Sequence, residues 1–207
     1  MKLFFHYSAL GYSNCYILGS EQPPREAIII DPSHMHEDIL AFIEENDYQL
    51  KAILITHDHK NHVQGLSTML RIYDTEIFAV NPVVMGQKTT LIQDGYALQV
   101  GSFLFDVISI PGHSADSVVF KCGRLLFTGD ALSAGLIGRT ASTYGDTTEL
   151  TALRSKLLSL PGDFLVFPGH GPPSSLEAER RYNVGVLFSE EKRRRRSAFT
   201  VDLSLSL

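Results

Sequence analysis

Three histidines within six residues, directly downstream of an apolar run, limit this chain more than any other feature. Ala52-Ile53-Leu54-Ile55 reads as a buried strand ending at Thr56, and His57-Asp58-His59-Lys60-Asn61-His62 follows at once. If the chain stays extended as it leaves the strand, residues two apart point the same way. His57 and His59 then present their imidazoles to one point while Asp58 turns away. His62 falls where the chain turns helical through Val63, Gln64, Gly65, Leu66 and Met69, so the positive end of the helix dipole disfavours its imidazolium. A neutral imidazole is the form that binds metal. Any one of these histidines, taken singly, reads equally as part of a solvated polar loop. Five of the eight histidines fall here or in the motifs below, and that clustering favours a metal site.

The rest of the chain repeats the pattern. Leu3 to Tyr7, Cys15 to Leu18 and Ala27 to Asp31 read as an antiparallel meander, followed by a helix with Ile39, Leu40, Phe42 and Ile43 on one face. Glu76 to Val80 reads as a strand, and Val83 to Val100 carries no clear pattern. Gln99 to Ile110 alternates as a strand or hairpin until Pro111-Gly112 breaks it and delivers His113. Ser117 to Phe120 and Leu125 to Thr128 form a hairpin that delivers Gly129-Asp130. A helix near Thr148 to Leu158 and a strand from Phe164 to Phe167 follow, and the strand's exit delivers His170. Singly, Asp130 and His170 suit turns. Together with the first cluster they supply the nitrogen and oxygen ligands that a one- or two-metal site needs.

Composition narrows the classes. A chain of 207 residues suits one domain, residues 1–188, with a basic segment and tail at 189–207. A net charge of −5 gives no general electrostatic case for nucleic acid or an anionic membrane. No apolar run approaches a membrane span, and nothing near the start reads as a signal peptide. Cys15 and Cys122 read as buried thiols, which suits a cytoplasmic setting. The alternation of Phe199, Val201, Leu203, Leu205 and Leu207 suits an edge strand that pairs within the chain or with a second copy as a homodimer.

Asn14-Cys15-Tyr16, Ile30-Asp31-Pro32, Thr56-His57-Asp58-His59-Lys60-Asn61-His62, Pro111-Gly112-His113-Ser114, Thr128-Gly129-Asp130, Gly138-Arg139-Thr140 and Pro168-Gly169-His170-Gly171-Pro172 carry a family resemblance. By them the chain resembles the metallo-β-lactamase-fold superfamily, and within it the short, single-domain glyoxalase II-like (hydroxyacylglutathione hydrolase-like) hydrolases. The resemblance implies an α/β four-layer αββα sandwich with the site at one edge. It implies His57, His59 and His113 as ligands of a first metal, Asp130 as the bridging carboxylate, and His62 and His170 as ligands of a second. The family's acidic ligand of that second metal is replaced by Asn61, which weakens the second site. The cofactor implied is Zn²⁺, one or two per chain, with iron as the alternative. His57, His59, His113 and Asp130 are the residues expected to carry catalysis.

The implied reaction is hydrolysis of a small-molecule thioester by metal-bound hydroxide, with no protein nucleophile; Ser114 is then a loop residue. Asp31 orients a ligand histidine or serves a turn, and Arg139 braces a loop or meets an anionic substrate. Only a short segment follows His170, with a closing helix at Glu177 to Leu187, so glutathione recognition is open. The competing expectations are a mononuclear iron persulfide dioxygenase built on His57, His113 and Asp130, and a degenerate member that binds metal without turnover.

Overall fold

The computed structural model describes residues 1–188. The opening meander is β1 (Lys2–Ser8), β2 (Ser13–Gly19) and β3 (Glu26–Ile30), followed by α1 (Glu37–Glu45) and β4 (Gln49–Leu54). Two short helices, α2 (Lys60–Val63) and α3 (Leu66–Ile72), lead to β5 (Glu76–Ala79). A small ribbon of β6 (Val83–Val84) and β7 (Gln87–Lys88) precedes β8 (Thr90–Leu91), which completes a six-stranded mixed sheet ordered β1-β2-β3-β4-β5-β8.

The second sheet starts with β9 (Ala97–Val100), β10 (Phe103–Ser109), β11 (Val118–Cys122) and β12 (Leu125–Gly129). A ribbon, β13 (Leu132–Ser133) and β14 (Leu136–Ile137), and helix α4 (Thr143–Ala152) intervene before β15 (Leu165–Pro168), β16 (Ser174–Ser175) and α5 (Leu176–Tyr182). Its order is β16-β15-β12-β11-β10-β9, with β12 and β15 parallel.

Period-two side chains decide how the sheets stack. In β2, Tyr16 and Leu18 enter the core between the sheets, while Cys15 and Ile17 face the helices. In β3 and β4, Ile28, Ile30, Ala52 and Leu54 take the inner face, and Ile29 and Ile53 the outer. The second sheet sends Phe103, Phe105, Val107, Phe120 and Phe127 inward, as the alternation of β10 predicts. Its outer face sets Val119, Leu126 and Val166 against Ala152, Leu153 and Leu157. A four-layer αββα sandwich results. Each such side chain removed from water contributes about 1.5–3 kcal/mol, and no disulfide is needed: Cys15 and Cys122 are buried free thiols.

Three local expectations change. The helix expected to run from His62 through Met69 is two helices, because the Gly65 N–H donates to the Pro32 and Ser33 carbonyls and pins the chain to the exit of β3. Helix α4 begins at Thr143 rather than near Thr148, because the Ser142 hydroxyl accepts the Gly145 N–H and caps it. It then runs into a wider π-turn at Leu153–Leu157. The closing helix starts at Leu176 and is interrupted at Asn183, whose side chain bonds the Leu136 carbonyl and Glu179. Residues 184–188 are helical again. The segment Val83 to Val100 resolves into short strands, and no described helix is long and apolar enough to cross a membrane. The basic run and tail at 189–207, with the proposed edge strand, lie outside the described residues.

Candidate metal centre

Strand exits from both sheets converge on one edge of the sandwich. β4 delivers His57, β10 His113, β12 Asp130 and β15 His170, while His59 caps α2 and His62 lies within it. One ligand atom each from His57, His59, His113 and Asp130 lies within 4.8 Å of the others, and the same holds for His62, Asp130 and His170. Asp130 belongs to both groups. Its Oδ2 is 3.4 Å from His113 Nε2, 3.5 Å from His170 Nε2 and 3.9 Å from His57 Nε2, while Oδ1 is 3.3 Å from His62 Nε2.

A hydrogen bond on the outer side of four rings sets which nitrogen looks inward. His113 Nδ1–H donates to the Arg139 carbonyl (2.8 Å) and His170 Nδ1–H to the Tyr12 carbonyl (2.6 Å). His62 Nδ1–H donates to Asp31 Oδ2 (3.0 Å). The Thr56 hydroxyl donates to Asp31 Oδ2 (2.6 Å), so His57 Nδ1–H donates to Thr56 Oγ1 (3.1 Å). Each Nε2 therefore turns its lone pair into the centre. Asp31 also accepts the Thr56 N–H, and its backbone takes a φ of +51° where β3 turns. Of the two roles expected for Asp31, the geometry shows it holding both His62 and Thr56.

Asn61 lies beside the second group and turns its amide toward it. Its Nδ2 is 2.8 Å from His170 Nε2, so it donates to the lone pair that faces inward. Gly129, at a φ of +50°, lets β12 close on Thr56: a Cβ there would meet Thr56 Oγ1 at 2.5 Å.

Burial lowers the His57 pKa to about 3, helped by neighbouring His62, and lowers that of His59 with help from His113; both rings are neutral. His62 departs from the helix-dipole expectation. Burial pulls its pKa down, but the carboxylates of Asp130, 3.3 Å from its Nε2, and of Asp31, bonded to its Nδ1, outweigh burial and carry it up to about 9. Four residues of helix are too weak a dipole against two carboxylates. Burial alone would raise the Asp130 pKa, yet His62, His57 and His170 hold it below the usual carboxylate range.

The donor set fits a metal ion. His57 Nε2, His62 Nε2 and Asp130 Oδ1 are buried without a hydrogen-bond partner, an arrangement that costs about 1–3 kcal/mol per group unless something satisfies it. His59 Nδ1–H donates to His113 Nε2 at 2.9 Å, and a cation would take the place of that proton between the two rings. Imidazole and carboxylate donors suit a first-row transition ion such as zinc or iron rather than magnesium or calcium.

The model of the metallo-beta-lactamase superfamily matches residues 9–170, nearly the whole span from the opening meander to His170. The chain belongs to that superfamily. A hydroxyacylglutathione hydrolase, GloC, from Haemophilus influenzae is 30% identical over 194 residues, covering 82% of this chain and 91% of that protein. A hydroxyacylglutathione hydrolase from Francisella tularensis is 36% identical over 148 residues, covering 70% of this chain; this chain spans only 58% of its length. Among solved structures, ETHE1 from Myxococcus xanthus superimposes with a TM-score of 0.81 at 26% identity, covering 93% of this chain and 91% of that one.

For this superfamily member, the strand-exit residues read from the sequence stand together at the centre, and several supports were not assigned in advance. Asn14 and Tyr16 are buried between the sheets and both donate to the Pro168 carbonyl, at 2.8 and 2.7 Å; Asn14 also bonds the Gly171 carbonyl. They clamp the loop that carries His170. A buried asparagine inside an apolar strand was the available signal. Glu149 lies buried behind His113 and Gly138, and burial pushes its pKa up to about 8 against the opposing pull of the His113 backbone N–H. Ser114 bonds Ser117 as a loop group (2.7 Å), and Arg139 contributes its carbonyl to His113.

Proposed function

We propose that this protein is a metal-dependent hydrolase that cleaves thioesters of the hydroxyacylglutathione type. The observation that carries this reading is the pair of clusters sharing Asp130, five inward-facing imidazoles around one carboxylate at the edge between two sheets. The named relatives at 30% and 36% identity support the substrate class. His57, His59, His113 and Asp130 would hold a first ion, and Asp130, His62 and His170 a second, with Asn61 as a neutral neighbour of the second. When bound, Zn²⁺ lowers the pKa of water to roughly 7 and polarises a carbonyl.

The chain's own residues do the rest. Asp31, Thr56 and the Arg139 and Tyr12 carbonyls lock four rings in the tautomer that offers Nε2. Asp130 neutralises positive charge and gives the two clusters a common anchor. Among the described residues no serine or cysteine stands at the centre as a nucleophile: Cys15 and Cys122 are buried in the core and Ser114 is bonded to Ser117. Buried free thiols suit the reducing cytoplasm, where we place the reaction.

The test is steady-state cleavage of S-lactoylglutathione and of simpler acyl thioesters by purified protein, before and after chelation and with Zn²⁺ restored. Chelator-sensitive cleavage that returns with Zn²⁺ is expected. Bound iron with oxygen consumption on a persulfide, and no thioester cleavage, would replace this reading with the dioxygenase. Metal binding without turnover of either substrate would leave a degenerate member.

A further inference from the structure

Three of the chain's histidines take no part in the centre, and two of them meet on another face. His6 lies on β1, the edge strand of the first sheet, and His36 is the N-cap residue of α1. Their rings stack with centroids 4.9 Å apart at 26°. Asp38, in the first turn of α1, places Oδ2 3.1 Å from His36 Nδ1 and 4.0 Å from His6 Nδ1. One ligand atom from each of the three lies within 4.8 Å of the others.

We propose that His6, His36 and Asp38 form a separate divalent-metal site that ties edge strand β1 to the start of α1.

Ligands about 2.0–2.1 Å from a tetrahedral ion stand about 3.3 Å from one another. The His36–Asp38 pair already has about that spacing; His6 Nδ1 stands about 0.7 Å beyond it from the same carboxylate oxygen, and its ring must turn out of the stack to aim at a shared ion. The contacts within the cluster are also at odds without an ion. His36 Nδ1 spends its lone pair on the Asp38 N–H at 3.3 Å while facing the Asp38 carboxylate, which seeks a proton or a cation; an ion there would take that lone pair in place of the N–H and neutralise the carboxylate. His6 is in the metal-binding form, since burial and the neighbouring His36 lower its pKa against the opposing pull of Asp38. Two imidazoles and one carboxylate select a borderline transition ion, zinc, nickel or copper, over calcium or magnesium. The side chain of His6 is only 11% exposed, whereas His36 and Asp38 are 46% and 61% exposed. An ion can therefore enter from solvent and complete its shell with water. Sequence separation gives it a structural effect, because it would close a loop of roughly thirty residues between β1 and α1.

The proposal is tested with the full chain by equilibrium dialysis against Zn²⁺, followed by elemental analysis of wild type, His6→Gln and His36→Gln. His6→Gln leaves the cap of α1 in place, so it keeps the test valid if His36→Gln weakens the helix. Both variants are expected to hold one zinc equivalent fewer than wild type, with centre metals and thioester hydrolysis unchanged. Zn²⁺ added beyond the centre's complement should raise the thermal midpoint of wild type and not that of His6→Gln. Equal zinc content in all three proteins would overturn the proposal. Loss of centre metal or of hydrolysis together with the extra equivalent would equally overturn it, because the site would then not be separate.

Discussion

Replacing Asn61 with aspartate probes the one place where this centre departs from its family's ligand set. In the structure Asn61 Nδ2 donates to His170 Nε2, the nitrogen that a second ion needs. Binding that ion requires breaking the bond, at a cost of about 1 kcal/mol. A carboxylate cannot donate there, so Asn61→Asp removes the competition and adds an anion whose bond to a charged partner contributes about 1.5–3 kcal/mol. The two effects act in one direction and correspond to a second ion bound roughly a hundredfold to a thousandfold tighter. The assay is Zn²⁺ titration of chelator-stripped protein against a competing indicator, with metal per chain measured in parallel. A second-site affinity unchanged within threefold would refute the argument that the amide weakens the site.

Other changes test the supports. Asp31→Asn removes the charged acceptor that holds His62 and Thr56, and should weaken metal binding by about 10–100-fold in the same titration while the fold survives. Gly169→Ala would set a Cβ 2.4 Å from His62 Cε1 and 2.6 Å from Asp130 Oδ1, so elemental analysis should show the second ion lost before the first. Glu149 gives a pH signature. Its folded pKa, raised to about 8, exceeds the unfolded value, so the folded state keeps a proton that the unfolded state releases above about 4.5. Its contribution therefore makes stability fall as pH rises from about 4.5 to 8 and level off above that. Denaturant titrations of Glu149→Gln should show a shallower decline across that window, and an identical slope would contradict the buried-acid account.

Much of this arrangement was legible because it is local. Continuous apolar runs in Cys15 to Leu18 and Ala27 to Ile30 announce strands buried on both faces, the alternation of Phe103 to Val107 announces one whose buried face is single, and breakers such as Pro111-Gly112 mark the exits that carry His113 and its counterparts. The failures have a common cause in contacts distant along the chain. Gly65 is drawn to Pro32 and splits a helix whose periodicity is unbroken. The proton on His62 is decided by Asp31 and Asp130, neither of them near it in sequence. Asn14 and Tyr16 look like strand residues until Pro168 arrives from the other sheet. The pairing of His6 with His36 likewise needs the third dimension, since no motif spacing links β1 to α1.

The central claim is that the shared carboxylate, Asp130, organises a metal centre. It is tested most directly by elemental analysis of metal per chain in wild type and Asp130→Ala, each purified without added metal or chelator. Wild type is predicted to hold at least one first-row transition ion at the centre, with zinc and a centre total approaching two, beyond any ion at His6, His36 and Asp38, favouring the binuclear hydrolase. Asp130→Ala is predicted to lose most of that metal together with turnover. A wild-type protein free of metal, or an Asp130→Ala variant that keeps its full complement, would contradict the account.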